Sequence, residues 1–468
     1  MCRRARVVLF FLLLGTMNAS AQDSAPSPNP PTPKEKEQAL AALTEARRAV
    51  FPMRRKNEAR QVLARIAPLL AAAGDTAGAQ EALTLLPANL RDAIQPEIVA
   101  AQLRNGELAA ALETAAAISA DNPQAAAYLL IVQAQAKSED FEGAMRTAAL
   151  IAGGRVESVQ ALVEVAKEQN HVGKRAEATQ LLRRAAASSA NLISSNDGTP
   201  ACALSVLAQI AKEQDSIGES AEAAKTLRLA EAVLPESDQG CRFETNRSLQ
   251  DEDEAHPGVL QNEIAQFRER LVPSTESAGT EDQNDEDSSS SEGSVADSGS
   301  VTPLMQLQQL GQNQQPTLTR EQALAALDML RSVKPLYKRA QAAMGTTQLM
   351  LASGKTDEAE EAIHIGMEVA DTVQDDNLRG ILLASQAHTR AAAKDWEGAR
   401  ASVQEIASAP QRTAALVDIA FCAAQEGHAQ LALSWATAEV SPVSEARVLV
   451  SIAEALLHQP QQQTFFMR

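Results

Sequence analysis

The feature that most constrains this chain is a turn followed, five residues on, by alanine. It occurs as Gly74/Ala79, Gly106/Ala111, Gly173/Ala178, Gly218/Ala223, Gly354/Ala359 and Gly427/Ala432. EDFEGA, ending at Ala144, and KDWEGA, ending at Ala399, keep the alanine without the turn glycine. Successive alanines recur about every 33 residues, with longer steps before Ala223 and Ala399, where extra residues must be accommodated. The segments VAKEQNHVGKRAEATQLLRRA from Val165 and IAKEQDSIGESAEAAKTLRLA from Ile210 are evident duplicates.

A second pattern lies upstream of these turns. An apolar residue stands eleven positions before the turn: Leu63, Tyr128, Leu162, Leu207, Leu383 and Leu416. Three and four residues later come pairs such as Ile66-Ala67, Ile131-Val132, Val165-Ala166, Ile210-Ala211 and Ile419-Ala420. That spacing puts them on one face of a helix. The turn residue takes the left-handed conformation that ends this helix, and the alanine lets a second helix approach closely. Each unit is therefore a helical hairpin that buries its remaining face against its neighbours. The fold class expected is all-α, an α-solenoid of helical hairpins in two arrays separated by a disordered linker.

The ends of the arrays carry their own signals. EQALAAL occurs at 37–43 and again at 321–327. Thr32 with Glu35, and Thr319 with Gln322, have capping-box spacing, and Pro52 and Pro335 should end the two helices. Each copy thus reads as the opening helix of an array. Residues 22–34 form a proline-rich tether. Residues 273–318 are acidic and Ser/Gln-rich, with too few large apolar groups to offset the entropy of ordering, so they form the linker. The arrays then span 35–272 and 319–460, followed by a tail at 461–468. GVLQNEIAQFRERL from Gly258 caps the first array in this reading, and RVLVSIAEALLH from Arg447 caps the second.

Arg3, Arg4 and Arg6, an apolar run from Val7 to Leu14, and Ala19-Ser20-Ala21 have the order of a secretory signal. Residues 1–21 are accordingly expected to be a signal peptide cut after Ala21, with a periplasmic or secreted product. Its removal takes three arginines and no acids, which moves the net charge from −18 to −21. Such a balance disfavours nucleic acid and anionic lipid as partners, and no stable membrane insertion is expected after cleavage. Cys202 and Cys241 each begin a first helix in consecutive repeats, so a disulfide between them is conceivable in an oxidising compartment.

The helix–turn–helix of this period, with its Gly-x-x-x-x-Ala turn, resembles the tetratricopeptide repeat. EDFEGA and KDWEGA are its nearest matches, and Pro123 and Pro235 fall where that family places exit prolines. The resemblance covers about 60–290 and 339–460, with Leu, Ile or Ala at most of the family's bulky aromatic positions. It implies a groove lined by first-helix residues two, three and six positions before each turn. In the first array these include Arg104, Gln133, Lys137, Lys167, Asn170 and Lys212; in the second, Gln348, His388, Phe421 and Gln425. Four successive repeats of the first array offer a cation, which suits the carboxylates of an extended peptide or an acidic partner protein.

No HExxH, CxxC, G-x-S-x-G or phosphate-binding glycine loop occurs. Exported lytic transglycosylases join helical superhelices to a catalytic domain, but their glutamate-serine motif is missing here. The chain is therefore expected to be a protein-interaction scaffold, neither an enzyme nor a cofactor or metal binder. A structural subunit of an envelope or secretion assembly is the alternative.

Overall fold

The computed structural model describes residues 30–195, 200–231 and 318–459. Among these the chain is all α-helical, with no strand, and is built as stacked helical hairpins. The expected signal peptide, the acidic segment, the helix expected from Gly258, the tail and Cys241 lie outside the described residues. The proposed Cys202–Cys241 pair is therefore not described.

The helices are α1 (Pro33–Val50), α2 (Asn57–Ala73), α3 (Thr76–Thr84), α4 (Ala88–Arg104), α5 (Leu108–Ala116), α6 (Asp121–Lys137) and α7 (Phe141–Ala148). They continue with α8 (Val156–His171), α9 (Arg175–Ser195), α10 (Pro200–Ile217) and α11 (Ser220–Glu231). After the acidic segment come α12 (Arg320–Ser332), α13 (Leu336–Ala352), α14 (Thr356–Val373) and α15 (Asp376–Ala392). The last four are α16 (Trp396–Gln404), α17 (Ala409–Gln425), α18 (Ala429–Ala436) and α19 (Pro442–Leu456). Two compact units result. One takes the described residues up to Ile66 together with those from Leu318 onward, and the other takes Ala67 to Glu231.

The turns are built as the sequence requires. Gly74, Gly106, Gly173, Gly218, Gly354 and Gly427 all have positive φ. Glu139 and Lys394 occupy the same left-handed position at φ 63° and 65°, which explains why EDFEGA and KDWEGA work without the turn glycine. In both, the next residue caps the second helix: Gly143 N donates to Asp140 Oδ1, and Gly398 N to Asp395 Oδ1, each at 2.9 Å. A Cβ on Gly143 would stand 2.0 Å from Asp140 Oδ2, so any larger residue there would displace the capping carboxylate from its present position.

Packing follows one register. In the second helices a buried alanine is followed by buried residues three, four and seven positions on: Ala111/Thr114/Ala115/Ile118, Ala144/Thr147/Ala148/Ile151 and Ala399/Ser402/Val403/Ile406. Leu63, Tyr128, Leu162, Leu207, Leu383 and Leu416 are all buried in the facing first helices. The long alanine spacings are absorbed by longer second helices: α9 has 21 residues and α14 has 18, against 9 in α5.

In the unit of residues 67–231, first helices lie side by side: α4 on α6, α6 on α8 and α8 on α10. Their second helices α5, α7, α9 and α11 form the other layer, and Val99, Tyr128, Ile131, Phe141 and Val165 fill the space between.

The other unit holds the main departure from expectation. Both EQALAAL helices have the capping boxes expected of them, Thr32/Glu35 and Thr319/Gln322. Both also carry the second-helix register, as Ala39/Ala42/Leu43/Ala46 in α1 and Ala323/Ala326/Leu327/Leu330 in α12. The helix expected to open the first array, α1, packs along α19, the last helix of the second. It stands where α19 would otherwise have its own second helix. Consequently α19 is not a cap with a polar outer side; Val443, Ala446, Leu449, Val450, Ile452 and Ala453 are all buried.

Candidate functional site

The candidate binding face is set by a polar contact that the sequence reading missed. Four successive first helices carry a buried glutamine four positions before the turn: Gln102, Gln135, Gln169 and Gln214. Gln135 Oε1 accepts a 2.7 Å hydrogen bond from Thr147 Oγ1, and Gln214 Oε1 one of the same length from Thr226 Oγ1. Each bond crosses from a first helix to the second helix of its own hairpin. The signal was present as Gln and Thr twelve residues apart, at 135/147 and 214/226, and again at 102/114. At the corresponding place in the other unit, Arg390 Nη1 donates to Ser402 Oγ at 3.1 Å and Nε to Glu360 Oε1 at 2.9 Å.

The buried glutamine marks the inward side of each of the four helices. Positions two and six before the turn lie about 200° around the helix from position four. They therefore face away from the hairpin's own second helix. Arg104 and Lys137 hold the position two before the turn, while Gln133, Lys167 and Lys212 hold the position six before it. Arg104, Lys137 and Lys212 are exposed; Gln133 and Lys167 are half-buried. Because the four helices pack in order, their outward faces form one continuous row.

Asn170, three before its turn, is tied to the next helix. Its Nδ2 donates to Ser216 Oγ at 3.2 Å, so α8 and α10 are stitched together at this edge. The row is not purely cationic. Glu97 and Glu164 lie on the same side one turn earlier, and Glu168 Oε2 stands 3.3 Å from His171 Nδ1. Crowding by neighbouring atoms lowers the pKa of the Arg104 guanidinium below its ordinary value, and Glu97 opposes that shift. Arg104 stays charged at any physiological pH.

The second array's positions fare differently. Gln348 and His388 are half-buried and Gln425 is exposed, but Phe421 is only 4% exposed and belongs to the interior. The reading of Phe421 as a groove residue is thereby corrected, since an aromatic on α17 is taken up by its packing within the stack. Cys422 is likewise buried.

Among the described residues, no three His, Cys, Asp or Glu side chains cluster as a metal site would require. No described helix is long and apolar enough to cross a membrane.

No protein-family model matches the chain, and no curated protein does. Among solved structures it is similar to Ton1535 from Thermococcus onnurineus, at 13% identity and a TM-score of 0.23, over 82% of this chain and 97% of that one. It is similar also to a signal-transduction ATPase with a tetratricopeptide repeat sensor from Pyrococcus horikoshii, at 10% identity and a TM-score of 0.22. That match covers 86% of this chain and 61% of the ATPase. A circular tandem repeat protein matches at 14% identity and a TM-score of 0.15, over 91% and 93% of the two chains. Likenesses this faint carry no weight for function.

Proposed function

We propose that this chain is an exported protein-interaction scaffold of the tetratricopeptide-like kind, and not an enzyme. Its outward row of first helices in residues 67–231 holds the carboxylates of an extended peptide or acidic partner protein. The observation that supports this most is the buried glutamine of α4, α6, α8 and α10, which marks the inward side of each helix and leaves Arg104, Lys137, Lys167 and Lys212 on the other; in α6 and α10 it is bonded to the second helix. Gln133 and Asn170 supply amide donors between the cations, and a peptide backbone offers carbonyls that such donors can bond. A cationic row on a chain of net charge −18 concentrates its attraction in one place, so acidic partners are held there and repelled elsewhere.

The test is fluorescence anisotropy of a labelled Glu-rich peptide added to the chain. Reversing Lys167→Glu and Lys212→Glu together should weaken binding at least about tenfold, and added salt should weaken it for the unmodified chain. Arg146→Glu, on the second helix α7, serves as the control for a charge reversal off the row and should leave binding as it was. Equal binding by the doubly reversed chain would refute the proposal. Export is tested separately: the mature protein recovered outside the cytoplasm should begin at Gln22.

A further inference from the structure

Every other hairpin with both helices described from Ala88 onward is closed by a covalent turn of two or three residues, such as Asn105–Glu107 between α4 and α5. The hairpin of α19 and α1 has no such turn. His458, in the left-handed conformation at φ 54°, ends α19 as the glycines end their helices, and the facing helix that follows in space begins at Pro33, capped by Thr32. In place of a peptide link, His458 Nε2 stands 3.7 Å from Glu35 Oε1. The element that covers α19 is thus joined to it by side-chain contacts and not by a short backbone turn.

We propose that the α1-covered face of α19 is a docking site for the α1 helix of a second copy of this chain, so that two copies exchange their N-terminal helices. Three observations support the exchange. The contacts made in a swapped pair are identical to those made within one chain, so the partner fits by construction. Helix α1 closes its own N-terminus through the Thr32/Glu35 capping box and carries Arg47 and Arg48 in its last turn, so it keeps its caps when it leaves. The joint between α1 and α2 is a single short 3-10 turn, Phe51–Met53, in which Phe51 is 45% exposed, with the Arg54 guanidinium 4.5 Å above its ring. Opening that joint sacrifices little packing, since no residue of the turn is buried, whereas leaving α19 bare would expose part of its buried apolar surface to water. This site belongs to a different unit from the cationic row and does not depend on that row's function.

The experiment uses the chain carrying Glu35→Cys and His458→Cys together. Treated when dilute with a short bis-maleimide, which spans the gap left by the longer native side chains, it should be linked within one chain; treated when concentrated, it should give a covalent dimer whose linked peptides come from isotopically different copies. Light scattering of the unmodified chain should show a dimer fraction that rises with concentration. Leu43→Asp, which spoils the α1 face, should remove that dimer. A chain that stays monomeric throughout, with the two introduced thiols linked only within one copy, would overturn the proposal. So would a dimer that survives Leu43→Asp. The cysteine pair leaves the apolar faces untouched, so its outcome stands even where the aspartate variant fails to fold.

Discussion

Arg65 and Glu454 lie 389 residues apart in the chain, and Arg65 Nη2 donates to Glu454 Oε1 at 2.5 Å. The arginine side chain is 17% exposed and the carboxylate 3%. Two charges so well removed from water stabilise the fold only while both are present. Glu454→Ala should therefore cost about 3 kcal/mol by leaving the guanidinium unpaired. Replacing both, as Arg65→Met with Glu454→Leu, should recover most of that loss. Urea denaturation of the single and double variants checks it, and additive losses in the double variant would contradict the pairing.

The Gln135–Thr147 bond predicts an asymmetric cost. Thr147→Val keeps the shape but leaves a buried amide oxygen without its donor, for a loss of about 1–3 kcal/mol. Lys137→Ala, two residues from the glutamine but on the outward side, should change stability by less than about 0.5 kcal/mol. Thermal melts of the two single variants separate a buried bridge from a solvated cation.

The Asp140 cap predicts a local effect. Asp140→Ala removes the bond to Gly143 N and should cost about 1 kcal/mol. Gly143→Ala should destabilise by a similar route, because its Cβ would displace the Asp140 carboxylate. Hydrogen exchange should rise first at the amides opening α7, ahead of α6.

Two carboxylates at the contact of α1 with α19 predict opposite pH behaviour. Hydrogen bonds from the Thr32 hydroxyl and then the Thr32 amide hold Glu35 below its ordinary value of 4.5. Its contribution is present above the ordinary range and is lost as pH falls through the lowered value. Burial pushes Glu445 above 4.5, reinforced by Glu45 and opposed by Arg48. A raised carboxylate is disfavoured in its charged form, so it costs stability above that raised value and costs nothing once protonated in both states. Glu445→Gln should accordingly stabilise the protein at neutral pH, with the gain vanishing in acid. Glu35→Gln should destabilise at neutral pH, and that loss should shrink in acid. Melting temperatures measured from about pH 3 to about pH 7, which brackets the ordinary carboxylate range, check both signs.

Much of the architecture was legible because its causes are local. The turn at position 106, 173 or 427 and the alanine five residues later act within one hairpin, and the residues eleven, eight and seven before the turn share one helix face. Those relations depend on 3.6 residues per turn and on backbone sterics, which the sequence states directly. The Gln/Thr pairs were equally present but carry no local mark, since only burial distinguishes a bridging glutamine from a solvated one.

The place of EQALAAL shows where local reasoning stops. Its caps, its length and its following proline follow from the residues around it. Its partner does not, because Ala39, Ala42, Leu43 and Ala46 present the same small-and-large register as every other second helix and would suit any first helix. Only the tertiary structure decides that α1 lies on α19, where Glu35 meets His458, while Arg65 of the following helix α2 pairs with Glu454. The sequence by itself determined what each helix is and which face it buries. Which helices meet was decided by the fold, since a shared register leaves the choice to charges and shapes brought together over hundreds of residues.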